Sequence, residues 1–447
     1  MTPARHLLLL TILSWGGVLL TGCTPPGQPP DCPESAGTDS QADQSPPANS
    51  LSQSGVGKVE ATRTAAALRQ AVMFLRQHQD QDGAWRSDLY AVFKDGSALT
   101  PLVLLALQHA YDVDPDLPDV LPTLQRGYRF LARWSQPDGT LGLKEDQLEY
   151  PVYTAALTLE VFSHATAQEM KPLRQGWVRY LLQRQLTEAN GWKPEDDHYG
   201  GWGYCRLIPY KPEPGKFAPA HTESNLSATL FALQGLAQAE ALDTATARKA
   251  LVFIRRMQNW GSEVPSHVRD GGFRFVPGDP VRNKAGLANP PLSTSSASSQ
   301  PAGPGFPSYG SMTADGYRAL ALCHKVQATD PQLQDDARLR AAADWLLRHF
   351  QAAEHPGAYI PDHASNRNAV YYYYASSLAR AFAEHRLVLP GQRHWAHELA
   401  QALLNQQKPD GRWENPLELV RENEPLVATA QAVIALALCH KNLQVRR

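Results

Sequence analysis

Ala-Leu-Ala-Leu-Cys-His-Lys occupies residues 319–325 and returns unchanged at residues 435–441. A second phrase, Gln-x-x-x-Gly-x-Trp, stands at Gln79/Gly83/Trp85 and again at Gln407/Gly411/Trp413. Repetition at this scale marks a chain built by stacking one supersecondary unit. Working outward from these phrases divides the chain into six units. Each has an amphipathic helix, a turn rich in Gly and aromatics, and a helix that is apolar nearly all round.

In the first unit Leu68, Val72 and Leu75 fall at i, i+4 and i+7, separated by Arg69, Gln70 and Arg76. That is a surface helix with one buried stripe. Asp82-Gly83 supplies the turn, and Trp85 is placed to cover the helix end. The next helix, Ala98–Ala110, has almost no polar face and must be covered on more than one side. Pro101 suits its first turn and Thr100 its N-cap. The same alternation pairs a helix through Tyr128 and Leu131 with Tyr150–Ala165, Leu173–Leu186 with Ser224–Ala239, and Thr244–Trp260 with Met312–Lys325. It pairs Leu339–Phe350 with Ala369–His385, and Trp395–Gln407 with Pro425–Lys441. Amphipathic helices alternating with apolar ones predict an all-α (α/α)6 toroid of two concentric rings, with an open solenoid as the other arrangement of the same unit.

The N-terminus is read separately. Arg5 and His6 precede the apolar run Leu7–Leu20, too short for a comfortable membrane span and suited to a signal-peptide core. It ends in Leu20-Thr21-Gly22-Cys23, which resembles the bacterial lipobox. The resemblance implies cleavage before Cys23 and a lipid on that cysteine; an ordinary secretion signal followed by a chance cysteine is the other reading. Residues 1–22 are thus expected to be a signal peptide and residues 23–58, rich in Pro, Ser and Gln, a disordered tether from a lipidated Cys23. Residues 59–447 form the toroid. The expected location is the bacterial cell envelope, anchored to the membrane through Cys23 and facing the periplasm. Thr24 does not resemble the Asp that marks inner-membrane retention.

The formal net charge is −2 and no Lys/Arg block stands out, so nucleic acid and anionic lipid are poor candidate partners. Cys323 and Cys439 hold matching places in apolar helices and are expected to be free and buried, although the compartment permits disulfides and Cys32 and Cys205 remain open.

The two Gln-x-x-x-Gly-x-Trp phrases resemble the repeats of the terpenoid cyclase and protein prenyltransferase superfamily, whose α/α toroids carry them. The resemblance spans about residues 60–445. Unit two departs from it, with Gly139 and no following Trp. Others keep only Gly with aromatics, as in Gly201-Trp202-Gly203-Tyr204, Gly271-Gly272-Phe273 and Gly357-Ala358-Tyr359. What the family implies about chemistry is not matched. The cyclase acid would be an Asp-x-Asp-Asp string opening an inner helix. The nearest string, Asp112-Val113-Asp114-Pro115-Asp116, follows one and reads as a solvated loop. The prenyltransferase zinc set, an Asp-x-Cys pair plus a later His, has no counterpart after Gly271-Gly272-Phe273. Neighbouring residues on a helix point about 100° apart, so Cys323-His324 and Cys439-His440 do not share a metal site. No metal and no cofactor are expected.

The ends of the apolar helices opposite those doublets carry the candidate site. Two connections are long, about Asn190–Glu223 and Gly261–Ser311, and long loops in compact repeats are functional or flexible. The Ser/Pro-rich centre of the second, Asn289–Gly305, reads as flexible. Inner-helix N-termini direct free N–H groups at this mouth and favour an anionic or carbonyl-bearing ligand. Trp202, Tyr204, Phe275, Tyr309, Tyr371 and Tyr374 are the candidate ligand-binding aromatics, with core packing as the alternative role. Glu223, Asp315 and His221 are the candidate acid–base residues, with Asp95 and Glu424 also at the mouth; the carboxylates equally suit helix capping. The expected function is binding of a small molecule, lipid, glycan or protein partner in the central cavity. The alternative is a diverged enzyme, terpenoid cyclase or glycan hydrolase or lyase, acting through mouth carboxylates.

Overall fold

The computed structural model describes residues 51–136, 138–144, 146–216, 219–290, 303–327 and 336–444, with side chains from residue 60 onward. The signal peptide, Cys23, Cys32, Phe217 and most of the Asn289–Gly305 stretch lie outside the described residues.

Long helices alternate along the chain as α1 (Leu51–Gln77), α2 (Leu99–Tyr111), α3 (Val120–Ala132), α4 (Pro151–Ser163), α5 (Arg174–Leu182) and α6 (Leu226–Gln238). They continue as α7 (Thr244–Met257), α8 (Gly310–Val326), α9 (Ala337–Arg348), α10 (Tyr371–His385), α11 (Trp395–Leu404) and α12 (Pro425–Gln444). The even-numbered helices form a closed ring in which α2 packs on α4, α4 on α6, α6 on α8, α8 on α10 and α10 on α12. Helix α12 then returns to α2. That last contact makes the fold an (α/α)6 toroid and not an open solenoid. The odd-numbered helices cover the outside, α1 against α12 and α2, α7 against α6 and α8, and α11 against α12. Burial follows from this position. Every residue from Leu99 to Gln108 on α2 is buried, whereas α7 buries a stripe containing Ala247, Ala250, Leu251 and Ile254.

Helix α1 begins at Leu51, inside the segment assigned from sequence to the tether. Once a helix is nucleated by its packed turns, adding a residue costs little, so it runs outward past its buried stripe.

The repeated turn is a clamp. Gln79 Nε2 donates to the carbonyls of Gly83 and of Thr123 at the start of α3. Gln407 makes the same pair to Gly411 and to Ala67 of α1, tying the last unit to the first. The Trp85 indole N–H donates to the Leu75 carbonyl, and the Trp413 indole to Leu403. The backbone N–H groups of both tryptophans donate to threonine hydroxyls inside the inner helices, Thr100 and Thr429. Thr100 is therefore a helix-interior acceptor and not the N-cap; its hydroxyl satisfies a buried donor of the turn. Two further units carry the clamp. Gln185 bonds Gly200 and Thr246, Trp202 bonds Leu181 and Thr229, Gln258 bonds Gly271 and Arg338, and Phe273 bonds Thr313. Gly83, Gly200, Gly271 and Gly411 share φ values of 91°, 88°, 87° and 90°.

The repeated Cys-His-Lys ends are anchors. Cys323 and Cys439 are free and buried. His324 lies 3.0 Å from Asp336, His440 bonds the Thr64 hydroxyl, and Lys441 pairs with Asp112.

Candidate functional site

The first turns of all six inner helices converge on a cavity of about 800 Å³. Leu99 and Leu102 of α2, Tyr153 and Leu157 of α4, Phe231 of α6 and Met312 of α8 form its wall. Tyr373 of α10 and Val427 of α12 complete the circuit. The apolar character follows from the fold, because helices covered on one side by the outer ring turn their other apolar side to the axis. The aromatics interlock: Tyr153 meets Phe231 edge-on with centroids 4.7 Å apart, and stacks on Tyr204 at 5.4 Å.

The rim is cationic. Arg206, Arg282, Lys284 and Arg421 line it, with Glu149, Glu418 and Glu422 as the acidic counterparts. Two of these carboxylates are engaged. Glu149 pairs with Arg206 at 3.1 Å, and Glu422 accepts the backbone N–H groups of Tyr372 and Tyr373 at the start of α10. Burial raises the Glu422 carboxyl to about 7 against those hydrogen bonds. The cations are less well matched. Arg282 reaches Glu223 only at 3.6 Å, and its Nη2 is buried without a hydrogen-bond partner. Arg421 sits against the rings of Tyr90 (5.4 Å), Phe93 (5.9 Å) and Tyr150 (5.4 Å), with no carboxylate in ion-pair range among the described residues. Burial lowers the pKa of both Arg421 and Lys284.

Three of the six non-glycine residues with left-handed φ among the described residues lie here, the others being Asp119, Glu240 and Arg386 elsewhere in the ring. Tyr150 (φ 47°), His221 (φ 61°) and Arg421 (φ 65°) are left-handed non-glycine residues, and all three line the cavity. Such conformations cost about 1–3 kcal/mol each and persist where the surroundings hold them, typically at binding sites.

A chain of hydroxyls leaves the wall and ends on a buried carboxyl. Tyr204 and Tyr153 hydroxyls are 3.0 Å apart, Tyr153 donates to Ser227 at 2.7 Å, and Ser227 meets Tyr373 at 2.6 Å. Tyr373 then donates to Asp315 Oδ2 at 2.5 Å, while Ser377 donates to Oδ1. Burial holds the Asp315 carboxyl up at about 6, with the two hydroxyl donors and Arg318 pulling the other way.

The sequence candidates divide accordingly. Tyr204, Phe275, Tyr309 and His221 line the cavity. Trp202, Tyr371 and Tyr374 do not: Trp202 is a clamp residue, and the Tyr371 and Tyr374 hydroxyls donate to the carbonyls of Ala352 and Gln351. The tyrosine that faces inward is Tyr373, fixed by the phase of α10 once Glu422 has capped it. Glu223 precedes α6 and Asp315 lies in the second turn of α8, which begins earlier than the sequence reading placed it, and the two do not form a pair. Asp315 points into the ring, and Glu223, whose side chain is 44% exposed, faces Arg282. Asp95 accepts from Ser97 in its own turn, and Glu424 binds the Ser87 hydroxyl and the Leu426 N–H, so both are structural. Asp112 pairs with Lys441 and His164 and Asp114 with Arg69, away from the mouth. Sequence reasoning missed Tyr153, Ser227, Tyr373, Arg282 and Arg421. The available signal was their place in the first turn of an inner helix or in the connection leading to one.

No family model and no curated protein sequence matches the chain. Solved structures do match it. A variant of the type II terpene cyclase MstE from Scytonema, in complex with its substrate geranylgeranyl dihydroxybenzoate, is 14% identical with a TM-score of 0.51, over 86% of this chain and 99% of that one. An unsaturated glucuronyl hydrolase specific for heparin is 13% identical with a TM-score of 0.50, over 85% and 96%. A family 76 glycoside hydrolase from a bovine Bacteroides thetaiotaomicron strain is 12% identical with a TM-score of 0.50, over 86% and 78%. These likenesses are of fold: the chain shares the (α/α)6 toroid of these proteins.

Proposed function

We propose that the central cavity binds an elongated apolar ligand bearing an anionic head, and that the toroid is held outside the cytoplasm by a lipid on Cys23. The observation that carries the ligand class is the division of one cavity into an aromatic wall and an under-neutralised cationic rim. Apolar surface drives the chain inward at roughly 25 cal/mol per Å² buried. The unpaired Arg282 nitrogen and the aromatic-caged Arg421 recover their desolvation only when an anion meets them. The Scytonema cyclase is seen with geranylgeranyl dihydroxybenzoate, a molecule that joins a long apolar chain to a benzoate. That division of character agrees with the wall and rim here.

A second reading is supported by the hydroxyl chain. It offers a proton route between the cavity and Asp315, so a bound ligand could gain or lose a proton there, and the protein would be an enzyme. A glycosidase acting through paired carboxyls is weakened, because Glu223 and Asp315 are not paired.

Native mass spectrometry of the gently purified full chain tests the first reading. A retained anionic amphiphile is expected. An empty cavity that also fails to take up both dodecyl phosphate and dodecanol would overturn it. Recovery of a chemically altered ligand after incubation, lost in Asp315→Asn, would establish the second.

A further inference from the structure

Lys284 is the one amine among the described residues that line the cavity. The turn that carries it is fixed from both sides. Buried Asn283 accepts the Phe275 and Val276 N–H groups and donates to the carbonyls of Val276 and Asp279. The Lys284 carbonyl lies 3.0 Å from His363 Nδ1, and the Ala285 carbonyl accepts the Ile360 N–H. Arg282 and Lys284 flank Asn283, and both reach the cavity. Among the described residues no carboxylate lies in ion-pair range of the Lys284 amine. The Asp279 carboxylate, whose charge it feels, accepts the Val281 and Arg282 N–H groups instead. Burial first, and then the Arg282 charge, lower the Lys284 pKa. An amine in an apolar pocket beside a second cation is a nucleophile more than a point charge. Two donors on the same cavity have no acceptor: Arg282 Nη2 and the hydroxyl of Ser311, at the start of α8, are buried without a hydrogen-bond partner. Leaving them so is costly until an electron-rich atom meets them, and the positive end of the α8 dipole adds to that demand.

We propose that Lys284 is a covalent binding site, where the amine forms an imine with a long-chain aldehyde. The alkyl chain lies along the aromatic wall, a placement that rests on the reading of the cavity as an apolar-ligand site. The nitrogen lone pair of the neutral amine forms the C–N bond while the carbonyl π pair moves onto oxygen, where the Arg282 and Ser311 donors meet the charge. The oxygen takes up both amine protons and leaves as water, and the nitrogen lone pair closes the C=N bond. A carboxylate or phosphate head would form only an ion pair with the protonated amine. An aldehyde uses both the nucleophile and the two idle donors.

Reductive trapping on the full chain tests this. Dodecanal with sodium cyanoborohydride converts an imine to a stable secondary amine, and peptide mapping by mass spectrometry assigns the lysine. Lys284 should be dodecylated at least about tenfold faster than the exposed Lys193 and Lys408, because a bound aldehyde is held beside it. Dodecanol should suppress that adduct alone, and Lys284→Arg, which keeps the charge and removes the amine, should abolish it. Dodecylation of Lys284 no faster than that of the exposed lysines overturns the imine on the unaltered chain, whatever the variant does. A chain that retains an anionic amphiphile but gives no Lys284 adduct also sinks the imine, and leaves the cavity reading standing. A fast Lys284 adduct that dodecanol does not suppress, and that propanal forms equally well, keeps the nucleophilic amine and overturns the cavity reading.

Discussion

Tyr373 and Asp315, on adjacent inner helices, share a 2.5 Å hydrogen bond that joins the cavity wall to a fully buried carboxyl in the second turn of α8. Neither residue is interpretable alone. The carboxyl is buried, and the phenol is the member of a four-tyrosine run that reaches the axis.

Burial of this carboxyl sets a pH dependence. The folded chain holds the Asp315 proton up to about pH 6, whereas an ordinary aspartate loses it near 3.8. Between those values folding takes up a proton, so stability falls as pH rises, and above about 6 the loss is complete. A shift of that size corresponds to about 3 kcal/mol. Asp315→Asn removes the titration, so its stability relative to wild type should rise between pH 4 and about 7, by roughly 1–3 kcal/mol. Parallel denaturant melts at several pH values check this; a constant difference between the two chains would show that Asp315 titrates normally.

The clamp glycines make a sharper test of the repeat. A Cβ on Gly411 would lie 2.5 Å from the Gln70 carbonyl oxygen, at φ +90°. Gly391 has a similar φ of +74°, but nothing within 4 Å of its added Cβ. Gly391→Ala should therefore cost about 1–2 kcal/mol, the backbone term alone. Gly411→Ala should cost about 1–3 kcal/mol more from the forced displacement of α1. Equal losses in thermal or urea unfolding would mean that the close approach is not maintained in solution.

The same clamp shows where the sequence was legible. Gln79 and Gln407 sit four residues before their glycines, so the phrase reads directly. Gln185 and Gln258 make the same bonds across 15 and 13 residues, because part of each long connection is inserted inside the phrase. An insertion preserves the contact and destroys the spacing. The ring itself followed from alternating amphipathic and apolar helices, but a helix apolar all round carries no phase information. Which of Tyr371–Tyr374 faces the axis was set by Glu422 from another unit, beyond the reach of local pattern.

The rim predicts ligand discrimination. Arg421 has aromatic neighbours and, among the described residues, no carboxylate in ion-pair range, so its charge is available to a ligand anion. Arg421→Gln should weaken binding of dodecyl phosphate by about tenfold, near 1.4 kcal/mol, and leave dodecanol within about twofold. Calorimetric titration of both ligands decides it. Equal losses for the two would indicate a packing role for the guanidinium over Tyr90 and Tyr150.

Glu422 connects the rim to the helix that supplies Tyr373. Its two oxygens accept the N–H groups of Tyr372 and Tyr373 and the Asn415 amide, so one buried carboxylate both caps α10 and fixes its phase. Glu422→Ala leaves those donors without their acceptor, and the cost should be about 1–3 kcal/mol. Glu422→Gln keeps an acceptor oxygen and should recover much of that loss. The titration has the same sign as at Asp315: the folded value of about 7 exceeds the ordinary glutamate value of 4.5, so wild-type stability falls as pH rises between them. Glu422→Gln should therefore gain on wild type across that window and level off above about pH 7. Because the cap orients Tyr373, Glu422→Ala should also loosen the Tyr373–Asp315 bond and push the Asp315 carboxyl further above its ordinary range, since that bond pulls it down. Infrared measurement of the buried carboxylic C=O band, assigned with Asp315→Asn, reads that directly. An Asp315 band unchanged in Glu422→Ala would mean that α10 keeps its phase without the cap.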